Sequence, residues 1–153
     1  MANTYTQVII QLVFAVKGRR CLISEHFREQ VEKFMCGIIS NKQSKPLAIY
    51  CNPDHCHVLF GLHPSVSIAD MARDIKSNSS RFINENGWVR GKFEWQQGYG
   101  AFSYNRSLLN TIVRYILNQR EHHRKKTFRD EYARLLERYD VKYDEKYLFD
   151  YLD

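Results

Sequence analysis

The sequence lacks the features that would place the chain in a membrane or outside the cell. No apolar run approaches the ~18 residues that span a bilayer, and no basic-then-apolar leader opens the chain. The four cysteines stand singly, without the closely spaced even framework of a small secreted protein. We therefore expect a cytoplasmic protein with reduced thiols and no membrane partner.

Internal repeats, low-complexity segments and linkers are also missing from the 153 residues. A chain of this length is expected to fold as one domain, residues 1–153, with ~70% of its unfolded surface removed from water. The 23 Lys and Arg against 17 Asp and Glu give a net charge of +6. That balance favours polyanions, nucleic acid first, although a merely soluble basic protein would look the same.

Hydrophobic periodicity predicts strands and helices in the order β-α-β-β-α-β, followed by two more helices. The predicted strands are residues 4–17, 46–51, 55–63 and 92–104, and the predicted helices run from Ser24 to about Ser40, Ser67 to near Gly87, Ser107 to about Lys125 and Phe128 to Tyr139. This order predicts an α+β fold with a ferredoxin-like antiparallel sheet whose first two helices share one face. The added C-terminal helix from Ser107 must pack elsewhere, and the open face of the sheet is available.

Two histidines stand at the start of the predicted third strand, after the turn Asn52-Pro53-Asp54. Because side chains alternate along a strand, His55 and His57 share one face while Cys56 points to the other. The pair is either half of a metal site or two polar residues on a solvated face. A zinc site that includes Cys51 and Cys56 is a further alternative, which the orientation of Cys56 disfavours.

The helix predicted from Ser107 carries a second group of polar residues. Tyr115, Gln119 and His122 follow one edge of its apolar stripe at helical spacing. A tyrosine and an amide one turn apart can reach into the same cleft, but most tyrosines simply sit at the edge of a core.

Basic side chains cluster on a turn, on the outer face of the second helix and on the third helix. They are Arg19, Arg20, Arg73, Lys76, Arg81, Arg114, Arg120, Arg124 and Lys125. Such residues need no function, because exposed charged side chains are usually just solvated. Those near the end of the third helix also interact favourably with the dipole at its C-terminus. Their number also fits contacts with the phosphates of DNA.

Three segments together resemble the single-tyrosine HUH transposases of small bacterial insertion sequences, which include the repeat-associated tyrosine transposases. They are Asn52-Pro53-Asp54-His55-Cys56-His57, residues 95–103 (Trp-Gln-Gln-Gly-Tyr-Gly-Ala-Phe-Ser) and residues 114–123, which contain Tyr-x-x-x-Gln. The resemblance covers nearly the whole chain. It departs at Cys56, where a larger aliphatic residue is more usual.

The resemblance implies an enzyme that cuts and rejoins single-stranded DNA at the hairpins that end an insertion sequence. Tyr115 would be the nucleophile that becomes joined to a DNA 5′-phosphate. His55, His57 and Gln119 would hold Mg²⁺ or Mn²⁺, and the protein would work as a homodimer in which one subunit's tyrosine helix can complete the other's histidine site.

Three other interpretations remain open. A non-catalytic module that binds single-stranded or hairpin nucleic acid would need neither metal nor tyrosine. A domesticated relative that acts on genomic repeat hairpins would share the transposase chemistry. A stand-alone metal or redox protein would use the histidines and cysteines, and tight zinc binding would be its signature.

Overall fold

A computed structural model describes residues 3–122 and 127–142. The strands are β1 (Ile9–Ala15), β2 (Lys45–Cys51), β3 (His55–Gly61) and β4 (Gly100–Tyr104), and the helices are α1 (Arg28–Asn41), α2 (Ile68–Asn86), α3 (Leu109–Leu117), α4 (Gln119–His122) and α5 (Phe128–Arg138). Within this part of the chain, no helix has the length and apolar character needed to cross a bilayer.

The four strands form one antiparallel sheet in the order β2-β3-β1-β4. This order confirms the predicted ferredoxin-like arrangement, in which the two central strands, β1 and β3, are the first and third along the chain. The helices α1 and α2 cover one face, where Ile10, Leu12 and Phe14 of β1 join a large apolar core. The larger of the two apolar clusters in the protein lies between this face and the two helices.

The other face of the sheet is covered by α3 and α5. Ile9, Val13 and Ala15 of β1 pack there in a second cluster with Ile116 and Phe128. The expectation that a later helix occupies the open face is therefore confirmed. All seven residues of β1 are buried because each of its two faces has a helical layer.

The third predicted helix differs from its predicted bounds. It begins at Leu109 after a short 3₁₀ turn, whose cap is Asn105, and it ends at Leu117 rather than continuing to Lys125. Asn118 leaves helical geometry, with φ −101° and ψ 22°, and α4 starts at the next residue. The region around Lys125 lies outside the described residues.

The last predicted strand, residues 92–104, is also shorter than expected. Only Gly100–Tyr104 forms β4, and upstream a single bridge joins Trp95 to Val16. Gly98 has a left-handed φ of 89°. A Cβ on Gly100 would lie 2.6 Å from the hydroxyl oxygen of Tyr132, so the absence of a side chain here allows α5 to approach β4 closely.

The second helix has the termini that its sequence predicts. The hydroxyl of Ser67 accepts a hydrogen bond of 3.0 Å from the backbone N–H of Asp70, and Gly87 ends the helix with a left-handed φ of 63°.

Candidate active site

Both histidines of β3 are buried under the α3–α5 layer. His55 is 1% exposed and His57 is fully buried, while Cys56 points into the core on the opposite side. The interpretation of the pair as polar residues on a solvated face is therefore wrong. Cys51 of β2 and Cys56 of β3 are opposite each other in the strand register, and both face the α1–α2 side of the sheet. They therefore point away from the histidines, which removes the basis for a zinc site made of histidines and cysteines.

The Nδ1 atom of each imidazole ring lies within hydrogen-bond distance of an oxygen of another side chain. Nδ1 of His55 lies 2.7 Å from a carboxylate oxygen of Asp54, and Nδ1 of His57 lies 2.7 Å from the amide oxygen of Gln11. Burial raises the pKa of Asp54, but the hydrogen bond from His55, together with electrostatic interactions with His55 and Arg19, holds that pKa below its usual value. With both Nδ1–H groups donating, each ring directs the lone pair of Nε2 into the interior of the site.

A carboxylate oxygen from α5 lies close to both Nε2 atoms. Oε1 of Glu131 lies 3.1 Å from Nε2 of His57 and 3.5 Å from Nε2 of His55. Glu131 is only 4% exposed, and the ring of Phe128, one helical turn earlier, stacks on His55 with centroids 3.6 Å apart. The helix α5 thus places both an acceptor and an aromatic cover over the histidines.

The donor set of His55, His57 and Glu131 fits a divalent metal. The three ligand atoms lie within 4.8 Å of one another, and each residue is buried. The Nε2 atoms of both histidines lie beside the same carboxylate oxygen, so the three atoms could ligate one cation. Two imidazoles and a carboxylate are ordinary ligands for several divalent metals.

Tyr115 lies against the same carboxylate. Its hydroxyl donates to Oε2 of Glu131, and its ring stands edge-on to His57 with centroids 5.8 Å apart. Burial raises the pKa of Tyr115 well above its usual value, and the negative charge of Glu131 raises it further, although Gln119 lowers it. The phenol is therefore neutral in this arrangement, and its proton faces a base.

Gln119 completes the group as the first residue of α4. It is fully buried, and its amide nitrogen donates to the backbone oxygen of Tyr115 and to Oε2 of Glu131, each at 3.3 Å. Its amide oxygen accepts from Asn52 at 3.3 Å. The structure thus brings Tyr115 and Gln119 to the histidines within a single chain.

Sequence reasoning missed Glu131, Gln11, Asn52 and Tyr104. Gln11 donates to the hydroxyl of Tyr104 at 2.6 Å, which turns its oxygen towards His57. For two of the four, the sequence pattern indicated an unusual polar residue at a buried position. Gln11 interrupts an apolar strand face, and Glu131 lies three residues after Phe128 on the apolar side of an amphipathic helix.

The family to which the chain belongs follows from its sequence. The sequence model of the IS200-like transposases matches residues 4–119. The chain is an IS200-like transposase. No curated protein sequence matches it significantly.

Two solved structures resemble this transposase. A candidate transposase from Deinococcus radiodurans R1 is 21% identical with a TM-score of 0.60, and the match covers 76% of this chain and 94% of that one. A REP-associated tyrosine transposase, solved bound to a REP hairpin, is 17% identical with a TM-score of 0.56, covering 79% and 72%. At these identities they establish a shared fold.

The basic residues expected to bind DNA lie on more than one surface of the transposase. Arg73, Lys76 and Arg81 line an open groove of about 760 Å³ on the outer side of α2, across the sheet from the histidines. Arg114 and Arg120 are exposed on the α3–α4 side.

The remaining predicted DNA contacts are spread further. Arg19 acts electrostatically on Asp54, beside the histidines, and Arg20 is exposed. Arg124 and Lys125 lie outside the described residues. The predicted contacts therefore do not form one continuous patch within the described chain.

Proposed function

We propose that this transposase cuts and rejoins single-stranded DNA through a covalent link to Tyr115, and that residues 1–153 form one catalytic domain. One observation carries the proposal. The hydroxyl of Tyr115 and the Nε2 atoms of His55 and His57 all face the carboxylate of Glu131. A nucleophile and a set of metal ligands therefore share one buried centre.

The residues suited to hold the metal are His55, His57 and Glu131. Gln119 is the fourth candidate, through its amide oxygen, which here accepts a hydrogen bond from Asn52 while the amide nitrogen donates to Glu131. A bound Mg²⁺ or Mn²⁺ would polarise a phosphate oxygen and so ease attack on an anionic ester. The carboxylate and amide oxygens suit these hard cations, and the imidazoles suit Mn²⁺ in particular.

The cleavage step uses groups that already touch. The phenol oxygen of Tyr115 forms a bond to phosphorus, and the bond from phosphorus to the 3′-oxygen breaks. The phenol proton passes to Oε2 of Glu131, which accepts its hydrogen bond, and the departing 3′-oxygen takes a proton from water. The products are a 5′-phosphotyrosine and a free 3′-hydroxyl, which can reverse the step and join a new end.

The proposed substrate is a DNA hairpin with a single-stranded flank. The REP-associated neighbour bound to a REP hairpin supports this substrate, as does the net charge of +6. The proposed phosphate contacts are Arg19, Arg20, Arg73, Lys76, Arg81, Arg114, Arg120, Arg124 and Lys125. Homodimer formation stays a prediction of the family resemblance.

The deciding experiment is covalent trapping. Single-stranded oligonucleotides that tile the DNA on either side of the gene are incubated with the protein and MnCl₂, and adducts are separated under denaturing conditions. Tyr115→Phe should abolish the adduct while hairpin binding persists. Tyr99→Phe, the same change at a tyrosine that is 40% exposed, is the matched control.

An adduct that survives Tyr115→Phe would show that the nucleophile is another residue. Hairpin binding that is indifferent to chelator, with no adduct on any oligonucleotide, would instead favour the non-catalytic binding module.

A further inference from the structure

A cavity of about 640 Å³ opens beside Tyr115 on the α3–α5 side of the sheet. Its lining comes from β4, α3 and α5 and includes Tyr115 and Glu131 of the candidate active site. Because Tyr115 and Glu131 are part of this wall, a molecule in the cavity lies next to the candidate nucleophile. The size suits one small organic ligand of the dimensions of a nucleotide.

One side of the cavity is apolar. Ile112 and Leu135 are half-buried and belong to the same apolar cluster as Tyr104, whose ring is largely buried. Apolar side chains of this kind bury the face of a nucleobase from water, and aromatic rings stack on it whichever base is present.

The rim of the cavity carries two arginines from α5. Arg134 and Arg138 are four residues apart, so they lie on one side of the helix about 6 Å apart along its axis. Both are exposed, and within residues 3–122 and 127–142 neither pairs with a carboxylate. Glu131 lies deeper in the lining, and Glu137 is exposed with the two arginines, so the exposed rim carries two positive side chains and one negative one.

We propose that this cavity binds one nucleotide of the strand that is cut, next to the scissile phosphate. Its base would lie against Ile112 and Leu135, and Arg134 and Arg138 would hold its phosphates. Guanidinium groups form paired hydrogen bonds with phosphate oxygens, which fix orientation as well as position. Arg134 and Arg138 are thus positioning residues that set the neighbouring phosphodiester against the hydroxyl of Tyr115. The inference rests on the proposed cleavage activity for its biological meaning.

The first test measures binding alone. The probe is a short fluorescein-labelled oligothymidylate, followed by fluorescence anisotropy at several salt concentrations. Arg134→Gln with Arg138→Gln should weaken binding roughly tenfold or more and reduce the salt slope by about 0.7 for each lost phosphate contact. Lys33→Gln with Arg90→Gln is the matched control, because it also removes two exposed positive charges, both outside the cavity, and should leave the slope less changed than the arginine pair does.

A second variant narrows the cavity without changing its charge. Thr111→Trp places a large side chain in the exposed lining of the cavity and should weaken binding of the oligothymidylate while thermal unfolding stays the same. Unchanged binding in both the double arginine variant and Thr111→Trp would overturn the proposal.

The adduct assay separates this inference from the proposed function. If Tyr115 forms an adduct whose yield is indifferent to the double arginine change, cleavage stands and the nucleotide site falls. If no adduct forms with any DNA but binding still depends on both arginines, the nucleotide site stands and the cleavage proposal falls.

Discussion

Replacing Glu131 by Gln tests the metal centre most directly, because it keeps the size of the side chain and removes the one negative charge of the donor set. Loss of an outer partner of a metal ligand already costs 10–100-fold in affinity, so loss of this carboxylate should weaken metal binding at least about 100-fold. At a metal concentration of about 100 times the dissociation constant, binding stabilises the wild type by about 2.7 kcal/mol. The variant would keep only about 0.4 kcal/mol at that concentration.

Differential scanning fluorimetry with and without MnCl₂ measures this difference. For a chain of this size, about 2–4 °C per kcal/mol gives a metal-induced rise in Tm of about 5–11 °C for the wild type and about 1 °C for Glu131→Gln. Each variant is compared with its own metal-free Tm, so changes in intrinsic stability cancel. Asp130→Asn, an exposed carboxylate in the first turn of the same helix, should respond like the wild type. A full metal-induced rise in Glu131→Gln would refute the assignment of Glu131 as a ligand.

Two further predictions concern stability. Gly100→Ala should lower the free energy of unfolding by about 1–3 kcal/mol, because its Cβ would meet the ring and hydroxyl of Tyr132. Gly37→Ala should raise the free energy of unfolding by about 0.5–1 kcal/mol, because this position is in the middle of α1 and a Cβ there would have no neighbour within 4 Å. Urea denaturation that ranks the two variants the other way would contradict this. The hydrogen bond from Lys42 holds the pKa of Asp74 below its usual value, so its stabilising contribution is present above the ordinary carboxyl range and is lost as the pH falls through the lowered pKa. Urea midpoints at neutral and strongly acidic pH should therefore show a smaller acid-side loss for Asp74→Asn than for the wild type, and an equal loss would count against the pairing.

The half of the site that lies on β3 could be predicted from sequence because a strand has a strict two-residue period. That period places His55 and His57 on one face, and the four-residue spacing of Tyr115 and Gln119 keeps the two in hydrogen-bond contact although α3 ends between them. Each relation is local, so it can be derived without knowing how the elements pack.

The contribution of α5 could not be derived in the same way. Glu131 reaches the histidines only through the docking of a helix that begins at Phe128, and no local spacing fixes which face of that helix meets β3. The position of Glu131 on the apolar side of α5 indicates that this charged residue is buried, but it does not identify the residues that the carboxylate contacts. The break at Asn118 is similar, since no Gly or Pro marks it and the four-residue spacing of Tyr115 and Gln119 runs across it.

The stacking of Phe128 on His55 has a consequence for the order in which the protein assembles. The groups of the centre come from positions 11, 55, 57, 115, 119 and 131, so the centre is complete only once α5 has docked on the sheet. His57 and Glu131 are 74 residues apart, and closing a loop of that length costs conformational entropy. Metal binding would then report the docking of α5, and a chain ending at residue 119, where the family match ends, would lack one ligand and the aromatic cover.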